Sequence, residues 1–259
     1  MDSKLGFTTT PVYTLLSLAG RASAWLSKGE LDYLDDMKCW AEWAVGDFDQ
    51  VLLSNFSYEL HQTVSGLGFC TSVAFLQPGL GVVHCRNVDW PLSQIRGATI
   101  ILDCKSVAGP FKAVSAPGMV GVLSGVAKGR FSITVNSKED RNHYIPNPAG
   151  WGATLLVRWI LESCADWDEA LCELKKAPAF VPFYVMLVGC KPSQAVVVEV
   201  NKSGNNRIYK QADYPEAVGN HYPGEICDDE EMDSQERQEL VERLALSYKA
   251  KSLLGVFRW

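Results

Sequence analysis

Apolar residues recur three and four apart through 31–44 and again through 50–60. That spacing lines one face of an α-helix, so the opening of the chain is predicted to be mostly helical. From about residue 69 the period changes. Short β-rich runs follow at 70–76, 81–88, 98–104, 111–115, 119–126, 131–136, 183–189, 195–200 and 206–210, several joined by Gly or Pro turns such as Gln77-Pro78-Gly79. Two helices interrupt them, 151–163 and 166–176; Asp166 is the expected N-cap of the second, and Ala170, Leu171 and Leu174 form its apolar stripe. A last helix is expected over 234–246 with Leu240, Val241 and Leu244 on one face. Strand blocks bracketing a pair of central helices predict layered α+β packing. No internal repeat is present.

Composition narrows the function classes. At 259 residues the chain is one large domain or two modest ones and needs no disulfide scaffold to build a core. With 47% hydrophobic and 21% charged residues it has globular rather than disordered usage. The net charge of −6 is local: 228–242 holds eight acids and one base, so the other residues sum to about +1. No face needs to be strongly basic, which argues against a nucleic-acid partner. No apolar run is long enough to span a bilayer. The stretch 12–20 is too short and too rich in Ser and Thr for a good signal peptide. The chain as it stands reads as cytoplasmic, or as lysosomal or secreted if a leader has been removed. The eight cysteines include no CxxC pair and accompany no paired histidine spacing, so no metal is expected and most should be buried thiols.

One cysteine stands apart. Phe69-Cys70-Thr71-Ser72-Val73-Ala74, a turn, and then Val82-Val83-His84-Cys85-Arg86-Asn87-Val88-Asp89-Trp90 resembles the opening of the β-subunit in the acid ceramidase and N-acylethanolamine acid amidase family. That family belongs, with bile-salt hydrolases and penicillin acylases, to the N-terminal-nucleophile (Ntn) hydrolases of the choloylglycine hydrolase superfamily. Its Cys-Thr-Ser start and its Arg and Asp, sixteen and nineteen residues on, fall at Cys70, Arg86 and Asp89. Further matches follow in order: Gly118–Gly125 leading to Phe131–Asn136, then Asn220-His221-Tyr222, then Ser234-x-x-Arg237. Upstream, Asn55-Phe56-Ser57-Tyr58-Glu59-Leu60 looks like the family's α-subunit segment before its cleavage site. The resemblance spans roughly residues 30–245.

It implies an αββα four-layer sandwich of antiparallel sheets, with residues 1–69 as a helical α-subunit or prosegment and 70–259 as the β-subunit domain. The Phe69–Cys70 bond would be the autocatalytic cleavage site of a zymogen, and the two fragments would stay associated. The chemistry explains the cut. A thiol of pKa about 8.5 is only a few per cent thiolate at neutral pH and needs a base, and an α-amino group of pKa about 7.7–8.0 serves if the cysteine is the first residue. The hairpin can bring Arg86 and Asp89 beside Cys70: Asp89 to orient the new ammonium, Arg86 to favour the thiolate by its fixed charge. By resemblance, Asn220 supplies an amide N–H to the oxyanion, Asn136 anchors the substrate amide or the ammonium, and Arg237 holds the group together from the first turn of the late helix.

The expected function is therefore a self-processing cysteine amidase of linear amides, with a lipid N-acyl amide of the N-acylethanolamine or ceramide type as substrate and no cofactor. The acyl group is placed in a cleft between the helices and the sheet, where Trp25, Trp40 and Trp43 line it or touch a membrane surface. An acyltransferase or β-lactam acylase of the same architecture, and a non-catalytic relative that binds lipid or a partner, are the alternatives. A Cys-His protease built on His84, His143 or His221 lacks a papain-like context. Two departures are visible. Asn136-Ser137-Lys138 stands where the family has Asn-Glu-Arg, which leaves room for a pH optimum away from acid, and the chain ends early after the Arg237 helix, where the family continues into further sheet.

Overall fold

The computed structural model describes residues 33–44, 48–56, 58–59, 69–89, 99–138, 147–211, 214–221 and 233–247. Two antiparallel sheets form its centre. The smaller contains β1 (Phe69–Gln77), β2 (Gly81–Asp89) and β10 (Glu216–Val218), in the order β10-β1-β2. The larger runs in the order β3-β4-β5-β6-β7-β8-β9, made of β3 (Ile100–Cys104), β4 (Phe111–Ser115), β5 (Ser124–Ala127), β6 (Phe131–Ser137), β7 (Phe183–Gly189), β8 (Ala195–Val200) and β9 (Arg207–Gln211). Helices α3 (Ala153–Ser163) and α4 (Trp167–Lys176) cover the outer face of the large sheet, and α5 (Ser234–Ser247) covers the outer face of the small one. The two sheets meet face to face through β1 on β6, β2 on β7 and β10 on β8. The expected αββα layering is what the chain forms.

Period-two alternation explains the layers. Phe131, Ile133 and Val135 of β6, Phe183, Val185 and Leu187 of β7, and Val196, Val198 and Val200 of β8 pack with Leu156, Val157, Ile160 and Leu161 of α3 in the main core. In β1, Val73 and Phe75 face Val241 and Ala245 of α5, while Ala74 joins Tyr184, Met186 and Val197 between the sheets. The hairpin of β1 and β2 closes on a turn in which the Leu80 N–H donates to Gln77 O at 3.1 Å and Gly79 takes φ 82°, a conformation that side chains resist.

The helix caps differ in origin. Asp166 accepts from the Glu169 N–H at 2.9 Å and caps α4 as its sequence predicts. Helix α3 starts at Gly152 without a cap of its own, and the carboxylate of Glu59 accepts the Ala153 N–H at 2.6 Å instead. Burial nevertheless outweighs these N–H groups and pushes the Glu59 carboxyl up to about 7. Helices α1 (Tyr33–Trp43) and α2 (Phe48–Asn55) lie against the outside of α3, where Tyr33, Met37, Leu52 and Phe56 pack with Leu155, Phe180 and Val120. Polar clamps join the apolar contact: the Tyr33 hydroxyl donates to Glu162 at 2.7 Å, Arg158 pairs with Asp36 at 2.6 Å, and the Asn55 amide bridges Gly118 O at 2.9 Å and the Val120 N–H at 2.5 Å.

Several expectations shift. Residues 119–123 form a loop, and the strand begins at Ser124. Strand β10, too short to show a pattern, went unpredicted. On α5 the half-buried Val241 and Ala245 face the small sheet, while Leu244 is exposed. Of the described cysteines only Cys70 and Cys164 are buried; Cys172 sits on the open face of α4, and Cys190 lies in the turn after β7. Trp25, His143 and Tyr222 lie outside the described residues.

Candidate active site

The hairpin register decides which residues meet. Phe69 pairs with Asp89, Cys70 with Val88 and Ser72 with Arg86, so the end of β2 lies beside the start of β1 as the spacing predicts. Cys70, only 2% exposed, points toward the large sheet, the side that Ser72 and Ala74 also face. Its three polar groups each have a partner. The thiol Sγ accepts from Arg86 Nη2 at 3.3 Å, the backbone N–H donates to Asn220 Oδ1 at 2.8 Å, and the carbonyl oxygen accepts from Arg237 Nη1 at 2.9 Å.

The partners are themselves fixed. Arg86 Nη1 donates to Leu123 O at 3.1 Å and Ser124 Oγ at 3.0 Å, and Nη2 also donates to Val135 O, so its guanidinium is wedged between β2 and β6. Arg237 reaches in from the first turn of α5: Nη1 also donates to Thr71 Oγ1 at 2.6 Å, and Nη2 to Asn220 Oδ1 at 3.1 Å. Asn220 donates both amide hydrogens to Ser137, to the carbonyl and the hydroxyl at 2.8 Å each. Its backbone N–H donates to Ser234 Oγ at 2.7 Å, the His221 N–H does so at 3.1 Å, and Ser234 Oγ lies 2.9 Å from His221 Nδ1. With both lone pairs occupied, the Ser234 proton is left for Nδ1, which places the His221 proton on Nε2.

Cys70, Arg86, Asn220 and Arg237 are therefore in direct contact, and Asn136 stands one bond away. Asn136 donates to Val218 O at 3.0 Å and Gly219 O at 3.2 Å and accepts from Ser72 Oγ at 2.8 Å. It staples β6 to the segment that carries Asn220. Asn220 turns its oxygen to the Cys70 N–H, and its own N–H groups to Ser137. The side chain of Asp89 lies outside the described residues. His84 and His221 bond to Ser132, Thr134 and Ser234 and not to Cys70.

Sequence reasoning did not assign roles to Tyr58, Ser137 or Ser234. Tyr58 is buried close enough to Cys70, Arg86 and Ser137 for each to bear on its hydroxyl, and burial followed by the Cys70 thiol holds that hydroxyl well above the usual phenol range. It sat unremarked inside the 55–60 segment. Ser234 was visible in the Ser-x-x-Arg spacing, but only the fold discloses that its hydroxyl organises Asn220.

A cavity of about 470 Å³ opens between α1 and the large sheet, lined by Trp40, Trp43, Leu102, Phe111, Met119 and Val122, with Asp36 and Arg158 as charged members of its wall. Val122 adjoins Leu123, whose carbonyl holds Arg86.

A four-layer α+β sandwich of antiparallel sheets is the architectural class, and a solved Caenorhabditis elegans N-acylethanolamine-hydrolyzing acid amidase ortholog shares that fold: TM-score 0.58 and 20% identity, over 72% of this chain and 83% of that one. Residues 78–253 match the family described as acyl-coenzyme A:6-aminopenicillanic acid acyl-transferase, and the chain belongs to that family. Among curated proteins it is similar to acid ceramidase of Heterocephalus glaber, 25% identical over 202 residues that cover 69% of this chain and 49% of the relative. It is also similar to the N-acylethanolamine-hydrolyzing acid amidase of Caenorhabditis elegans, 24% identical over 155 residues covering 56% and 43%. The chain spans about half the length of the curated relatives it matches.

Proposed function

We propose that this chain is a cysteine amidohydrolase that cuts itself between Phe69 and Cys70 and then hydrolyses a linear lipid N-acyl amide through an acyl-Cys70 intermediate. The observation that carries this reading is the clamp on Cys70, whose sulfur, nitrogen and carbonyl oxygen are each held by a different side chain. A cysteine in a structural core has no use for an arginine on its thiol and another on its carbonyl.

In self-cleavage the Cys70 sulfur adds to the Phe69 carbonyl, the C–N bond breaks and the acyl group moves from nitrogen to sulfur. Water then resolves the thioester, leaving a Phe69 carboxylate, a free thiol and a free α-amine. Residues 1–69 become the α fragment and 70–259 the β domain, held together by the clamps around α3. In turnover the α-amine takes the thiol proton, the sulfur attacks the substrate carbonyl, and the amine returns the proton to the leaving nitrogen. Asn220 Oδ1 is placed to accept from that amine, with Asp89 as its second partner. The Asn220 N–H now given to the Ser137 hydroxyl is the one assigned to an oxyanion, which would take that hydroxyl's place as acceptor without moving the amide, an interaction worth about 3 kcal/mol where such donors have been removed. Arg237 keeps Cys70 and Asn220 in register, and Asn136 holds the backbone behind them.

The cavity beside Trp40 and Trp43 is assigned to the acyl chain. Trp43, 78% exposed, is assigned to a membrane or micelle surface. The names of the relatives, ceramidase and N-acylethanolamine amidase, support a lipid amide as substrate. The test is the purified full chain on a denaturing gel with N-terminal mass spectrometry. Two fragments, the second beginning at Cys70, and a Cys70→Ala variant that stays whole and inert, are expected; an intact wild-type chain with full amidase activity overturns the reading. The family's own description favours a second reading, transfer of the acyl group to an amine, which an added amine acceptor would reveal as a new amide product.

A further inference from the structure

The inner face of the small sheet carries a polar chain that the reaction above does not use. His84 Nδ1 lies 2.8 Å from Ser132 Oγ, and His84 Nε2 lies 3.2 Å from Thr134 Oγ1. Thr134 Oγ1 lies 3.1 Å from Ser72 Oγ, and Ser72 meets Asn136. Each link alone is ambiguous in direction, but the far end is not. Val218 and Gly219 present carbonyl oxygens, which only accept, so the Asn136 amide nitrogen must face them and its oxygen must face Ser72. Ser72 thus spends its one proton on Asn136, and the proton between Ser72 and Thr134 comes from Thr134. Thr134 then has none left for His84, so His84 Nε2 is the donor. Burial and the Arg86 guanidinium two residues along β2 keep the imidazole neutral, its pKa pushed down to about 3. A neutral ring with its proton on Nε2 accepts at Nδ1, from Ser132.

We infer that His84 is a positioning residue, fixed as the Nε2–H tautomer at the head of a one-way hydrogen-bond relay from Ser132 through Thr134, Ser72 and Asn136, which sets the backbone at 218–219 and so the placing of Asn220 against Cys70. The relay spans the gap between the sheets from β2 to β6, back to β1 and again to β6. Its last member holds the two residues immediately before Asn220. Reversing an inner link would leave the next acceptor without a hydrogen, so from His84 to Asn136 the relay transmits a single arrangement; at the outer end the Ser132 hydroxyl has Val188 O, at 3.5 Å, as its other acceptor.

The role of His84 rests on the proposed reaction; its tautomer does not, and the test separates them. Nitrogen-15 spectra of the full chain labelled at histidine report the tautomer directly. The Nε2–H pattern is expected for His84 at neutral pH, with a mixture of tautomers in Thr134→Val, where the acceptor is lost. An Nδ1–H ring, or an imidazolium with Ser132 turned to Val188 O, overturns the relay whether or not the protein is an enzyme. For the role, His84→Leu should lower kcat for a lipid amide about tenfold with KM within about twofold. His84→Gln, whose terminal amide nitrogen can still donate to Thr134, should recover kcat to within about threefold of wild type. Wild-type kcat in His84→Leu, or equal losses in both variants, overturns the positioning role. Inactivity of the wild-type chain itself would instead strike the proposed function and leave the spectra to decide the relay.

Discussion

One face of the large sheet changes character between neighbouring strands. Toward the small sheet, β7 and β8 present Tyr184, Met186, Val188 and Val197, which pack with Ala74 and Val218 in an apolar cluster. On the same face β6 presents Ser132, Thr134 and Asn136, every one hydrogen-bonded to β2, β1 or the 218–219 backbone. Both halves are buried between the same two sheets. The apolar half holds them by excluded water, which is tolerant of small shifts, whereas the polar half holds them by directed bonds, each of which admits one geometry. Cys70 lies beside the second, so the cohesion of the sandwich and the aim of the proposed nucleophile fall to adjacent strands.

Asn136→Leu should break this arrangement most severely, because two buried carbonyls and the Ser72 hydroxyl lose their partner: a loss of about 3 kcal/mol or more in urea unfolding, together with loss of self-cleavage on a gel. Met186→Ala, in the apolar half, should cost a comparable 2–5 kcal/mol by the same unfolding measurement, roughly, while leaving cleavage intact in the folded fraction. Equal effects of the two on cleavage would erase the division of labour.

A third comparison uses Glu59, a polar group buried on the helix side. Its carboxyl is raised from 4.5 to about 7, so the folded chain holds a proton that the unfolded chain releases, and stability falls as pH rises between those values. About 3 kcal/mol should be lost across that window, with full stability below it and no further change above. Glu59→Gln should flatten the unfolding profile while keeping the acceptor on α3. The smallest effect is expected from Ser132→Ala, at the relay's outer end, about 1 kcal/mol of stability by thermal unfolding.

Much of this was legible in the residues. The hairpin spacing alone placed Arg86 near Cys70, since strand pairing is set by turn length, and the ordered matches carried Asn220 and Arg237 to the same place. The polar half of β6 was legible too: Phe131-Ser132-Ile133-Thr134-Val135-Asn136 alternates at period two, although a polar residue pointing inward reads as one pointing to solvent until a second sheet is known to cover it. Asn220's orientation was not legible, because it depends on Ser137 and Arg237, 83 and 17 residues away. Nor was the capping of α3 by Glu59, which sequence rules seek among the residues next to the helix.

The clamps around α3 carry a consequence for the molecule's history. Tyr33, Asp36, Asn55 and Glu59 grip Glu162, Arg158, Gly118, Val120 and Ala153 without any covalent help. A polypeptide severed ahead of Cys70 would thus keep its shape but not the tether that guided its assembly. After denaturation the uncut chain should regain its fold at any dilution, whereas the cut one would depend on two strangers meeting in solution.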